Sequence, residues 1–268
     1  MRRRPGAILG GGGGGGAASE GRKEAMPRDH NMAACLIQRV ARQARLTFCS
    51  GGGDGPRFGE NMQRLQELLG EVRAEDLRLS PRGPSAVPGP VQPPASYMHI
   101  CETEGFSMGV FLLRAGARIP LHDHPGMHGL LKVLYGTLRI ASFDALDPGE
   151  ASPDSPPGPP RRRRKALLRA HRLHTAASPP CRLAPQAHNL HQIEAEGGPA
   201  AFLDILAPPY DPEHGRDCHY YRLLEGPPLP PPSEEPQGLP REVWLQEAPQ
   251  APEFWCGGEP YTGPRVSP

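Results

Sequence analysis

The sequence predicts an all-β domain, a barrel or sandwich of short strands, preceded by two short helices. From about residue 95 onward, segments rich in Val, Ile, Tyr and Phe alternate with Gly and Pro turns. Many short strands without intervening helices are typical of a barrel or sandwich. The predicted strands are 97–102, 106–113, 118–124, 130–143, 189–194, 200–206 and 219–224.

The two helices are expected within residues 32–94, where apolar residues recur at helical spacing. The two stripes are Leu36, Ile37, Val40, Ala44 and Phe48, then Met62, Leu65, Leu68, Leu69 and Val72. Arginines on the first helix would also suit a membrane surface, but packing against the domain is the preferred interpretation. Residues 1–31 are of low complexity and predict a disordered leader.

Residues 95–268 are expected to form the main domain, with a flexible insertion at 147–180. The insertion is rich in Pro, Ser and Arg and is interpreted as a surface loop. Its basic run Arg161–Lys165 is interpreted as solvated rather than as a nucleic-acid site, and His171 and His174 are given no role.

The C-terminal stretch from Leu239 contains both tryptophans, Trp244 and Trp255. We expect it to dock on the barrel, because that would bury the two large side chains.

Composition argues against several classes of partner. Lys and Arg number 30 against 29 Asp and Glu, so the chain has no global basic field for nucleic acid or a membrane surface. The six cysteines are scattered without a CxxC pair, which favours a reducing compartment. We expect a cytoplasmic monomer, with the nucleus as an alternative location, and the Arg-rich start leaves mitochondrial import open.

Two histidines predict a metal site. His122 and His124 are two residues apart, so on a strand both side chains point to one face. Two imidazoles are two-thirds of a mononuclear site, and they suit iron, zinc, copper or nickel. His188 and His191 are candidates for the third ligand, and they would face opposite sides of a strand.

The spacing around these histidines resembles the first motif of the cupin superfamily, which implies a double-stranded β-helix, or jelly-roll barrel. Five residues separate Gly116 from His122, and Gly136 lies twelve residues after His124. Most cupins place an acidic ligand four or five residues after the second histidine, where this chain has His128 and Gly129.

Replacement of the acidic ligand by neutral histidines resembles the thiol dioxygenases among the cupins. The phrase His-Asp-His-Pro-Gly-Met-His-Gly from residue 122 and Asn-Leu-His-Gln-Ile from residue 189 are similar to motifs of the cysteamine dioxygenase and plant cysteine oxidase family. Further similar segments begin at residues 200, 215 and 239. The resemblance implies an Fe(2+) site formed by His122, His124 and His191.

The resemblance also implies the reaction and its substrates. Both atoms of O2 would be added to the sulfur of cysteamine, giving hypotaurine, and of proteins with an N-terminal cysteine, such as regulators of G-protein signalling. Oxidation would mark these proteins for degradation, which makes the enzyme an oxygen sensor. Cys218 and Tyr220 correspond to a pair that can form a thioether cross-link.

Asp204 is the candidate for recognising the substrate ammonium, because it lies in the apolar run Phe202-Leu-Asp-Ile-Leu and a buried carboxylate needs a partner. A structural hydrogen bond to a metal-site histidine is the equally weighted alternative. Tyr210 and the Pro208-Pro209 turn are expected at the pocket mouth. For the whole protein, a cupin with another metal and a non-catalytic binding module are the competing hypotheses.

Overall fold

The computed structural model describes residues 35–49, 55–83, 92–146, 150–151, 162–224, 228–233 and 239–268. The predicted leader, residues 1–31, and parts of the predicted linkers and insertion lie outside these ranges. No helix in the described part of the chain has both the length and the apolar character needed to cross a membrane.

The two predicted helices are present and pack on the strands. They are α1 (Leu36–Phe48) and α2 (Phe58–Glu71), followed by one turn of 3-10 helix at Ala74–Leu77. The helical stripes are buried in a cluster that also takes in side chains from the sheet. The expectation that the first helix packs against the domain is therefore confirmed.

Within the described residues, eleven strands form one hydrogen-bonded sheet. They are β1 (Ala95–Glu102), β2 (Ser107–Leu113), β3 (Arg118–His122), β4 (His128–Ala145), β5 (Glu150–Ala151), β6 (Arg162–Thr175), β7 (Cys181–Leu183), β8 (Leu190–Ala207), β9 (Tyr220–Leu223), β10 (Arg241–Ala248) and β11 (Cys256–Gly258).

The strand pairings close into a ring. β8 pairs with β3, β3 with β9, β9 with β10, β10 with β6, β6 with β4, and β4 again with β8. β2 and β1 extend the sheet from β8, and β7 extends it from β4. The predicted all-β barrel of the cupin type is confirmed.

β4 and β8 are long because they pair with each other along two successive segments. Residues 128–135 of β4 pair with 201–207 of β8, and residues 137–143 pair with 190–196. The register between β4 and β8 shifts around Gly136 and Gly197, whose φ angles are +75° and +69°, a region that glycine enters without strain. A Cβ at position 136 would lie 2.4 Å from the carbonyl oxygen of Pro199.

Because each long strand continues through this register shift, the sequence prediction differs from the structure. The predicted strands 189–194 and 200–206 are the two halves of β8 rather than separate strands. The apolar faces of the two halves of β4 and β8 meet in a buried cluster that includes Leu131, Val133, Ile140, Ile193 and Phe202. The candidate site lies at the edge of this cluster.

The prediction of a loop over 147–180 is wrong for residues 162–175, which form β6. Ala166 and Leu168 are fully buried there, and the strand pairs with both β4 and β10. The arginines conceal this strand in the sequence, because their long side chains are charged on whichever face they occupy. Arg164, from the run interpreted as solvated, points inward to Tyr221.

The C-terminal segment joins the barrel through β10, but its tryptophans do not account for the docking. Trp244 is 46% and Trp255 41% exposed, so the expectation that they are buried is wrong. Strand alternation accounts for Trp244, since its neighbour Leu245 is fully buried and Trp244 therefore faces outward. The Lys165 ammonium lies 5.3 Å from the centre of the Trp244 ring.

Candidate metal centre

Three histidines meet at one edge of the barrel. His122 ends β3 and lies directly opposite His191 of β8, and His124 lies two residues beyond the end of β3. The ring centres are 4.7 to 4.8 Å apart, and one nitrogen from each ring lies within 4.8 Å of the other two. The structure therefore brings together the three residues predicted as metal ligands.

Hydrogen bonds set the tautomer of two of these rings. Nδ1 of His122 donates to the carbonyl of Pro120 at 2.8 Å, and Nδ1 of His124 donates to the carbonyl of Asn189 at 2.9 Å. In a neutral imidazole, a proton on Nδ1 leaves the lone pair on Nε2. Both Nε2 atoms are therefore free to bind a cation.

Burial keeps the three imidazoles neutral. It lowers the pKa of His122, lowers that of His124 to about 3, and takes that of His191 well below its usual value. The neighbouring rings lower the pKa values of His124 and His191 further. Neutral imidazole is the form that binds metals.

His124 points to the same site as His122, as predicted, but lies beyond the end of the strand and is positioned by hydrogen bonds. β3 ends at His122, so a side-chain clamp takes over from the strand. The Asn189 side chain accepts from the backbone N–H of His124 at 3.2 Å and donates to its carbonyl at 2.8 Å. Because Asn189 is two residues from His191, this clamp also connects the two halves of the site.

The two neighbouring histidines are directed elsewhere. His128, at a position where cupins often carry an acidic ligand, packs on Phe58 with ring centres 5.0 Å apart. His188 adopts a positive φ of 53°, and its Nδ1 lies 2.8 Å from the hydroxyl of Ser142. Neither belongs to the cluster of possible metal ligands in the described residues.

Asp123 supports the site from its position between His122 and His124. It is 5% exposed, and its carboxylate accepts from the backbone N–H of His219 at 2.8 Å and from the Tyr221 hydroxyl at 2.9 Å. Its own carbonyl accepts from the Tyr210 hydroxyl at 2.7 Å. Asp123 thus connects β9 and the loop that contains Tyr210 to the segment between the two histidines.

Cys218, Tyr220 and Tyr210 lie together beside the metal centre. Tyr220 is opposite His122 in the sheet, and the Cys218 thiol is within hydrogen-bonding reach of both tyrosine hydroxyls. Cys218 precedes β9 rather than belonging to it, so the contact with Tyr220 comes from the bend of the chain rather than from a shared strand face. The Tyr210 ring lies 5.7 Å from that of His124.

Asp204 shares a cavity of about 250 Å³ with His191. It lies on β8 opposite Leu131, and burial raises the pKa of its carboxyl to about 7. Among the described residues, it accepts a hydrogen bond from the backbone N–H of Ile205 and none from the three histidines. This arrangement leaves the carboxylate available to a ligand in the cavity.

The raised pKa of Asp204 predicts a pH-dependent effect of Asp204→Asn on stability. The folded state holds the Asp204 proton more tightly than the unfolded state, so ionisation destabilises the fold as pH rises from about 4 to about 7. In metal-free protein, the variant should gain stability relative to the parent chain between about pH 5 and about pH 8, by more than about 1.4 kcal/mol.

Urea unfolding at both pH values measures this gain. Glu75→Gln removes an exposed carboxylate and should show no such trend. If the free energies of unfolding of Asp204→Asn and the parent chain change equally with pH, the raised pKa of Asp204 is contradicted.

The donor set fits an iron(II) ion. Three neutral nitrogen donors converge, two of them in a fixed tautomer, and imidazole is a ligand that iron shares with zinc, copper and nickel. The structure brings together three residues that could hold an ion, whereas the choice among these metals depends on the chemistry that the chain performs.

A family model described as PCO_ADO matches residues 68–266 of this chain. The chain belongs to this family. The matched part of this chain runs from the end of α2 to the C-terminal segment, so it includes every residue of the candidate metal centre.

Curated members of the PCO_ADO family resemble the chain over most of its length. The 2-aminoethanethiol dioxygenase of Mus musculus is 58% identical and that of Homo sapiens 56% identical, each match covering 91% of this chain and 100% of the relative. Plant cysteine oxidase 1 of Arabidopsis thaliana is 32% identical, with 86% of this chain and 80% of the relative covered. The predicted family and the predicted dioxygenase class are confirmed.

Proposed function

We propose that this protein is an iron(II)-dependent dioxygenase that adds both atoms of O2 to the sulfur of cysteamine and of N-terminal cysteines of proteins. The products would be hypotaurine and cysteine sulfinic acid. The observation that carries the proposal is the cluster of three neutral histidines, without a carboxylate among them, in a chain whose relatives are thiol dioxygenases.

The absence of a carboxylate from this cluster favours a thiol substrate, and the dioxygenase class of the relatives favours iron. His122, His124 and His191 would hold the ion without reducing its charge of +2. Iron(II), when bound, supplies a centre where a thiol loses its proton and where sulfur and O2 are brought together. A sulfinic acid is the product of adding two oxygen atoms to a thiol, and it is hard to reverse.

Asp204 is the residue that we expect to recognise the amine end of the substrate. Cysteamine and an N-terminal cysteine both carry an amine two carbons from the thiol. The Asp204 carboxylate shares the cavity with His191, and a buried carboxylate is stabilised by a cation. We infer that Asp204 receives the ammonium group, which places the thiol at the histidines.

The contact between Cys218 and Tyr220 supports a further proposal. A thioether between the Cys218 sulfur and the Tyr220 ring would form with the loss of two hydrogen atoms, taken up by O2. It would hold Tyr220 against His122. We expect the cross-link in only part of the protein, and intact-protein mass spectrometry would detect the missing hydrogens.

Oxidation of N-terminal cysteines would make the protein an oxygen sensor, because sulfinylation marks such proteins for degradation. Regulators of G-protein signalling that begin with cysteine are the proposed protein substrates. A cytoplasmic or nuclear location suits this role.

The test is anaerobic loading with iron, followed by mass spectrometry of cysteamine and of a cysteine-initiated peptide under graded O2. We expect each substrate to gain two oxygen atoms, and the rate to follow the O2 level. The matched peptide that begins with serine should remain unchanged. Iron binding without oxidation of either thiol would overturn the proposal in favour of a non-catalytic binding module.

A further inference from the structure

The cavity beside the metal centre is more basic than cysteamine requires. β4, β6, β7 and β8 contribute to its wall, which contains His191 and Asp204 but also Arg172 and Arg182. Cysteamine offers only a thiol and an ammonium group, and the positively charged ammonium would be repelled by a guanidinium. The arginines therefore indicate a ligand with a further, negatively charged group.

Strand register places Arg172 on the same face as the metal ligands. Arg172 of β6 lies opposite Ile140 of β4, which lies opposite Ile193 of β8. Ile193 is two residues from His191, so its side chain and that of His191 share a face. Two strand spacings separate β6 from β8, so the backbones of Arg172 and Ile193 lie roughly 10 Å apart, and His191 lies two residues, roughly 7 Å, farther along β8.

Arg172 has one buried donor that no described residue pairs with. Its Nε is buried without a hydrogen-bond partner among the described residues, and leaving such a group unpaired is costly. Burial lowers the pKa values of His174 and His188, which also line the cavity, and the Arg172 guanidinium lowers them further. Arg182 is exposed and lies where the cavity meets the surface.

The charges divide the cavity into two ends. Asp204 is the one carboxylate among the described residues that line it, and it suits an ammonium group near the metal. The two arginines suit a carboxylate, because a guanidinium offers paired donors in a fork that matches its two oxygens. The complementary ligand has a thiol and an amine at one end and a carboxylate farther along.

We propose that Arg172 and Arg182 form a carboxylate subsite that favours cysteine-initiated peptides with Asp or Glu as the second residue. This rests on the proposed function and specifies its substrate class. Free cysteine also has a carboxylate, but its carboxylate is attached to the carbon that carries the amine. A side chain on the next residue extends one residue farther, about 3.8 Å along the chain, toward the arginines.

The experiment compares two peptides that differ only in charge, Cys-Asp-Gly-Gly-Ser amide and Cys-Asn-Gly-Gly-Ser amide, on iron-loaded full-length protein. We expect kcat/KM to be about tenfold higher for the Asp peptide, the value of a charge-assisted hydrogen bond. Arg172→Gln should bring the ratio close to one, and Arg172→Lys should restore part of it. Arg162→Gln removes an exposed cation from the same strand and should leave the ratio unchanged.

A second measurement is independent of turnover. Calorimetric titration with Ser-Asp-Gly-Gly-Ser amide and Ser-Asn-Gly-Gly-Ser amide, which lack a thiol, should show tighter binding of the Asp peptide to the parent chain but not to Arg172→Gln. Equal kcat/KM and affinity of the parent chain for the Asp and Asn peptides would overturn the subsite. So would an unchanged preference for the Asp peptide in Arg172→Gln. Preference for free cysteine over both peptides would also overturn it.

The cysteamine assay separates this proposal from the proposed function. If the parent chain oxidises cysteamine but does not prefer the Asp peptide, the subsite alone fails. If it oxidises no thiol at all, the proposed function fails, whereas the calorimetric comparison still decides the subsite.

Discussion

Replacing His122 by alanine is expected to abolish iron binding and to reduce thiol-dependent O2 uptake by at least about 100-fold. Loss of an outer partner of a metal ligand already costs about 10- to 100-fold, and His122 is predicted to bind the ion itself. The remaining rings, His124 and His191, would offer two donors. Metal analysis after iron loading and an oxygen electrode with cysteamine measure both effects.

His99→Ala is the matched control for this variant. His99 is an exposed histidine on β1 outside the cluster of possible metal ligands, so both iron content and O2 uptake should stay at the level of the parent chain. Unchanged O2 uptake in His122→Ala would refute the metal centre and, with it, the proposed dioxygenase mechanism.

Replacing Asp123 by alanine should destabilise the metal-free protein by about 3 kcal/mol, because one partner of a buried charged network is removed. The backbone N–H of His219 and the Tyr221 hydroxyl would lose their acceptor, and Arg164, 4.0 Å from the carboxylate, would lose a counter-charge. Urea unfolding in the presence of a chelator measures the loss without a contribution from metal binding.

Asp217→Ala provides the comparison for Asp123→Ala. Asp217 is exposed, and its carboxylate accepts from the neighbouring N–H of Cys218. Its removal should change the free energy of unfolding by less than about 0.5 kcal/mol. If both variants lose the same small amount, Asp123 does not connect β9 to the histidine segment.

Local patterns were sufficient to predict the β-rich fold, both helices and the first two histidines of the candidate metal centre. The apolar periodicity of the helices and strands depends on residues close in sequence, and so does the His122-x-His124 spacing. The third ligand depended on the resemblance of the 189–193 segment to a family motif. Spacing alone left His188 and His191 as alternatives, and the register of β8 against β3 distinguishes them.

Contacts between distant segments could not be predicted in this way. β6 was missed because its pattern is masked by arginines, and only its pairing with β4 and β10 shows which of its side chains face inward. The roles of Asp123 and Asn189 were missed for the same reason. Their hydrogen-bond partners lie 65 or more residues away in the sequence.

The sequence by itself determined the family of this protein, its β-rich fold and the three histidines that are proposed to hold a metal ion. Only the tertiary structure decided what surrounds them. Chain folding places Asp204 and Arg172 in one cavity with His191, although these residues belong to different strands or to opposite ends of one strand. The physical reason is that ligand identity is local, whereas a cavity and its charge arise from strand register between segments far apart in the chain.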